Sequence, residues 1–146
     1  MSDLKSFLLT QGYTFFKLKK TSSKHFTLKA KINGVNGCFI IDTGASNSCV
    51  GLDEIDLFNL KLKHSDKKAT GAGSNNISTK LSLQNHLKIQ KFKIIKLSLI
   101  VIDLTHINTA LVEHNTKPIN GIIGADILKK YNAVIDYRYK ALYLKP

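Results

Sequence analysis

Tryptophan is absent from the 146 residues, cysteine occurs only twice, and arginine is confined to Arg138 although the formal net charge is +12. Arginine is the side chain suited to bidentate recognition of phosphates and bases, so a basic surface built almost wholly of lysine argues against evolved nucleic-acid readout. Lysines alternating with apolar residues, as in LKIQKFKIIKL (87–97), read more simply as the wet face of strands. Long apolar runs are missing too: the longest is Leu99–Ile102, far too short to span a bilayer, so no membrane insertion is expected. The opening MSDLKSFLLTQGYTFFKLKK has an acid at Asp3, a brief Phe7-Leu8-Leu9 patch and no small-residue cleavage site. It does not read as a signal peptide, which favours the cytoplasm. Cys38 and Cys49 are then expected to stay reduced and to behave as small buried apolar residues. His25, His64, His86, His106 and His114 fall in no ligand pattern, so neither a metal nor another cofactor is expected.

What is present is alternation at period two, the strand signature. HFTLKAKI (25–32) reads as a strand, NGVNG (33–37) as a turn and CFIID (38–42) as a more buried returning strand, a hairpin that delivers Asp42. NSCVG (47–51) continues as a short strand, and DEIDLFNL (53–60) reads as a short helix with acids in its first turn. KKATGAGSNNISTKLSL (67–83) reads as a hairpin around a Gly-rich tip, and 86–104 as one or two strands folding back near Gln90-Lys91. Residues 106–118 read as loop with a helical turn at most. GIIG (121–124) is a short buried strand, ADILKKYN (125–132) a short helix, and AVIDYRYKALYLK (133–145) a strand, turn and strand. The length is that of one domain, mainly β with two or three short helices.

Asp-Thr-Gly at 42–44 is by itself a weak motif, because turns are written the same way. Its setting strengthens it. A buried strand places the Asp42 carboxylate on a rigid element, Gly44 lets the chain turn back sharply, and the hydroxyls of Thr43 and Ser46 can hold the loop. About eighty residues later GIIGADIL repeats the apolar-apolar-Gly theme at Ile122, Ile123 and Gly124, which suggests two pseudo-equivalent halves. Gly124 is expected to pack against the 42–46 loop, and Asp126 to cap the helix that follows. Asp136, in VID, is expected at a strand end or turn, and Tyr131, Tyr137, Tyr139 and Tyr143 in strand packing or dimer contacts.

These pieces, FIIDTGAS (39–46), the hairpin at 70–76, IIGAD (122–126) and the closing AVIDYRYKALYL, together resemble the retropepsin-like aspartic proteases, single-lobe relatives of the pepsins, and the ending resembles their bacterial branch. The resemblance runs from residue 26 to 146 and implies a closed or partly open β-barrel-like acid protease lobe. Residues 1–25 match nothing in it and are expected to be an extra strand, a dimer arm or a propeptide. By this resemblance Asp42 is the catalytic acid, and a second Asp42 must come from another copy, so the partners are the chain itself as a homodimer and an extended peptide substrate. Thr43 would bond across the dimer axis, Gly44 would bring its backbone close to the carboxylate, and Ala45 stands where pepsin-like lobes commonly place a hydroxyl. Thr70, Gly71, Ala72, Gly73, Ser74 and Asn75 would form the flap that closes over the peptide, although this stretch has no aromatic residue and no long Gly run.

Three functions fit these residues. One is an aspartic endopeptidase; another is a retropepsin-like module that binds peptide or assembles without cleaving. The third, a small basic β-barrel that binds nucleic acid, is favoured by charge alone.

Overall fold

The computed structural model of the chain describes residues 3–63, 68–71 and 74–146, with strand segments 68–71 and 74–78 described by backbone alone. Strands dominate because alternating residues have a core to face. β3 (Phe26–Ile32) buries Leu28, Ala30 and Ile32 while Lys29 and Lys31 stay exposed. It turns into β4 (Val35–Ile41) through Asn33 and Gly34, both at positive φ (50° and 85°), the two-residue hairpin turn whose twist suits flanking strands. The turn is therefore tighter than expected, and Val35, Asn36 and Gly37 already belong to the strand.

After the Asp42 loop come β5 (Cys49–Gly51) and a single 3-10 turn, Leu52–Glu54, in place of the helix expected over 53–60. Phe58 and Leu60 are both buried, a spacing of two that no α-helix points to one side, and Asn59 at φ 52° breaks the coil between them. β6 (Leu62–Lys63), β7 (Lys68–Gly71) and β8 (Ser74–Ser78) follow, then the long hairpin β9 (Lys80–Ile89) and β10 (Phe92–Ile102), reversing at Gln90-Lys91 as the sequence indicates. Six strands in the order β3, β4, β11, β5, β10, β9 close on themselves through a β3–β9 pairing, where β11 is Gly121–Ile123. The fold is thus the mainly β, barrel-like lobe expected. Phe39, Val50, Phe58 and Val101, each no more than 1 % exposed, sit at its centre.

Thr105–Glu113, where a loop is expected, forms a helix of more than two turns. Its signal is faint in sequence because Leu111 is its one buried residue. Tertiary hydrogen bonds supply what propensity does not: the Asn108 side chain donates to Ile119 O (3.2 Å) and accepts from Ile119 N (2.8 Å). The Thr105 hydroxyl and backbone N–H both donate to Asp103, whose carboxyl they hold below its ordinary range.

Residues 3–25 are part of the folded body. A first helix, α1 (Asp3–Thr10), precedes β1 (Thr14–Lys17) and β2 (Lys19–Lys20). Numbered after it, Thr105–Glu113 is α2 and Ala125–Lys130 is α3. β1 pairs antiparallel with β13 (Ala141–Leu144), which pairs with β12 (Val134–Asp136) to make a separate three-stranded sheet. Phe16 is 1 % exposed there, and Leu8 of α1 packs on Ala141 and Tyr143. Of the C-terminal tyrosines, Tyr143 is buried, whereas Tyr137 is 76 % exposed with its ring edge-on to Phe26. Asp136 is the last residue of β12, a strand end as expected, and its carboxylate accepts from the backbone N–H groups of Arg138 and Tyr139 in the turn that follows.

Candidate active site

The Asp42 loop is defined by what it threads around. β4 runs into it and β5 runs out of it, and β11 lies between the two, parallel to β4 (Ile40 opposite Ile122) and antiparallel to β5 (Cys49 opposite Ile122). The two apolar motifs are thus neighbouring strands of one sheet. Gly121 is needed for this, since a Cβ there would lie 2.3 Å from Cys49 O. Asn120 seals the edge: its side-chain oxygen accepts from Cys38 N (2.8 Å), its carbonyl accepts from Gly51 N (3.0 Å), and its amide donates to Glu54 (3.0 Å).

Stitches then join the loop to the second motif. Asp42 N donates to Ile123 O (3.0 Å), Ala125 N donates to Ala45 O (2.7 Å), and Gly124 N donates to Ser48 Oγ (2.9 Å). Ser48 is 1 % exposed, and both its hydroxyl (2.7 Å) and its backbone N–H (3.0 Å) donate to Asp126 Oδ1. Asp126 is therefore not the N-cap of α3. Gly124 holds that position, and the carboxylate two residues on reaches across to Ser48. A Cβ on Gly124 would lie 2.5 Å from Ala45 O, so Gly124 packs against the loop as the sequence reading has it, for want of any room between backbones.

Against this fixed base, Asp42 is half-buried while Thr43, Gly44 and Ser46 are exposed. The Gly44 N–H donates to Asp42 Oδ1 at 2.9 Å, and the loop closes through Ala45 N to Asp42 O (3.3 Å). Gly44 is not in the left-handed region, so a sharp turn is not what it provides; closeness to the carboxylate is, since a Cβ would lie 3.3 Å from Oδ1. Among the described residues the hydroxyls of Thr43 and Ser46 bond to nothing, so within one chain the loop is held by Ser48 and backbone instead. Sequence reasoning missed Ser48 and Asn120 and gave Asp126 a capping role in place of its bond to Ser48. A small hydroxyl residue six positions after Asp42 and an acid two after Gly124 were the available signal.

Next to the loop, Cys49 is a free thiol that burial pushes up to about 12, with a backbone bond from Ile122 opposing and the carboxylates of Asp126 and Asp42 adding to the rise. Cys38 is likewise free. Among the described residues no three His, Cys, Asp or Glu side chains gather into a set that could hold a metal ion. Of the expected flap, the backbones of Thr70, Gly71, Ser74 and Asn75 lie in the β7–β8 hairpin with Gly71 opposite Ser74, and Ala72 and Gly73 fall outside the described residues.

This arrangement can be compared with known proteins. The family described as aspartyl protease matches residues 28–127. A retropepsin-like aspartic protease from Rickettsia conorii superposes with TM-score 0.59 at 20 % identity, covering 91 % of this chain and 89 % of that one. EIAV protease in complex with the inhibitor HBY-793 gives 0.56 at 21 % identity over 73 % and 88 % of the two chains. The retroviral protease-like domain of Ddi1 from Leishmania major gives 0.56 at 16 % identity over 82 % and 87 %. At these identities the structural likeness speaks for the fold alone. Among curated proteins none matches significantly.

Proposed function

The chain belongs to the aspartyl protease family, and from that premise we propose that it is an aspartic endopeptidase whose active site forms between two copies. The observation that carries this reading is the division of labour between the two carboxylates at the loop. Asp126 is spent on Ser48, whereas Asp42 keeps a half-exposed carboxylate whose Oδ1 accepts one backbone N–H. Of the two carboxylates at the loop, a single chain thus leaves Asp42 alone available, and metal-free peptide hydrolysis by activated water needs both a base and an acid. A second Asp42, supplied by a two-fold-related copy, completes the pair.

The chemistry then follows. Two carboxylates about 3 Å apart cannot both ionise, so the pair shares one proton. The ionised member takes a proton from the water as its oxygen bonds to the scissile carbonyl carbon, and the protonated member gives its proton to the carbonyl oxygen. Collapse of the tetrahedral intermediate breaks the C–N bond and returns a proton to the departing amine. Thr43, exposed and with no side-chain hydrogen bond among the described residues, would bond across the axis, and the β7–β8 hairpin would close over the peptide as its flap. The test is Asp42→Asn, which preserves size and the Gly44 contact. It is expected to lower peptide cleavage by about 10²–10⁴-fold with unfolding midpoint unchanged; undiminished cleavage would refute the assignment.

A further inference from the structure

A second feature of the barrel stands apart from the Asp42 site. β3 and β4 (26–41) together with β9 and β10 (80–102) hold Lys29, Lys31, Lys80, Lys88, Lys91, Lys93 and Lys96 and not one Asp or Glu. Register sets some of these directly abreast: Lys31 of β3 faces Lys88 of β9, and Lys88 faces Lys93 of β10. Directly opposed residues point to the same face of a sheet, and strands lie about 4.8 Å apart, so the three ammonium stems form a row about 10 Å long. Lys29 stands two residues from Lys31 on that face, and Lys29, Lys31 and Lys88 rim a shallow hollow of about 220 Å³. All four are exposed. Like charges placed directly opposite destabilise a sheet, and a cross-strand Glu would relieve them at no structural cost. None is present, which points to a negative surface outside the chain.

We infer that this lysine face adsorbs to an anionic lipid surface. The row is broad and open and contains no arginine and no aromatic ring, so it lacks the bidentate and stacking groups that hold nucleic acids, and the Arg and Tyr anchors typical of protein interfaces. A lipid headgroup layer needs neither. It requires several unpaired cations on one face, each contributing independently. Ile95, 57 % exposed and two residues along β10 from Lys93, adds an apolar contact beside the row. The row lies at the Asn36 end of β4, and six residue steps lead from Asn36 to Asp42, about 20 Å of strand, so adsorption leaves the Asp42 loop uncovered. The inference does not rest on the protease reading.

Co-sedimentation with phosphatidylcholine vesicles, with and without phosphatidylserine, tests it. Binding is expected only with phosphatidylserine at about 0.1 M salt and should vanish near 1 M. Replacing Lys31, Lys88 and Lys93 together by Gln should weaken it about a hundredfold, roughly fivefold per lysine, whereas a control with Lys61, Lys117 and Lys129 replaced should retain most of the binding. Absence of binding to phosphatidylserine vesicles, equal losses in the two triple variants, or displacement of the vesicles by an equimolar RNA oligomer would each overturn it.

Discussion

Asp126 and Ser48 carry more of the site's architecture than their place in the sequence suggests. The Asp126 carboxylate accepts two bonds from Ser48, and the Ser48 hydroxyl in turn accepts from Gly124 N, so one side-chain pair ties loop, second motif and α3 together. Asp126→Ala leaves a buried hydroxyl and a backbone N–H without their acceptor and should cost about 2 kcal/mol in urea unfolding, while Asp126→Asn, which keeps an acceptor oxygen, should recover most of it. Gly124→Ala should be worse, about 3 kcal/mol, since the neighbour at 2.5 Å is backbone that cannot step aside. Gly44→Ala should leave stability nearly unchanged and depress cleavage, because its Cβ would crowd the Asp42 oxygen alone. Cys49 gives a pH signature. Its folded thiol ionises only near 12 against an ordinary 9.0, so the stability it contributes is complete below pH 9 and is lost as pH rises from there towards 12. Thermal melts across that range should fall less steeply in Cys49→Val than in the unaltered chain.

The elements differ in how far local sequence determines them. β3, β9 and the start of β10 were legible because alternation places most alternate residues in the core, β4 because its apolar run CFII carries the buried Phe39 and Ile40 on a returning strand, and Asn33-Gly34 writes its own turn. α2 was not legible, since Leu111 is its one buried side chain and its anchorage comes from Asn108 reaching Ile119. The 53–60 segment misled for the opposite reason. Its acids and apolar residues fit a helix, but burying both Phe58 and Leu60 requires a tighter path. The first twenty-five residues resembled nothing in sequence, and their role lies in pairing that only topology shows: β1 lies along β13 with Phe16 opposite Leu142. Phe16→Ala should therefore cost about 3–5 kcal/mol in equilibrium unfolding. A chain begun after residue 17 should lose the cooperative transition, an outcome at odds with a dispensable leader.

At the scale of the molecule, DTGA and IIG could be read as related motifs, but not that they would be adjacent strands; the long separation in sequence hides a contact that β11 makes by slipping between β4 and β5. Under the proposed function, the same topology leaves one chain with half of the site. Every stitch fixing the loop points inward, and what remains outward is Asp42 with the exposed Thr43, Gly44 and Ser46. A shared active site requires two such loops to meet. Mixing equal amounts of unaltered and Asp42→Asn chains, allowing subunits to exchange, and measuring peptide cleavage at constant total concentration tests this directly. If both carboxylates of a pair are required, cleavage should fall to about one quarter of the unmixed rate, because one pair in four then carries two intact acids. A rate of about one half would mean that each chain works by its own Asp42, and would contradict the shared site.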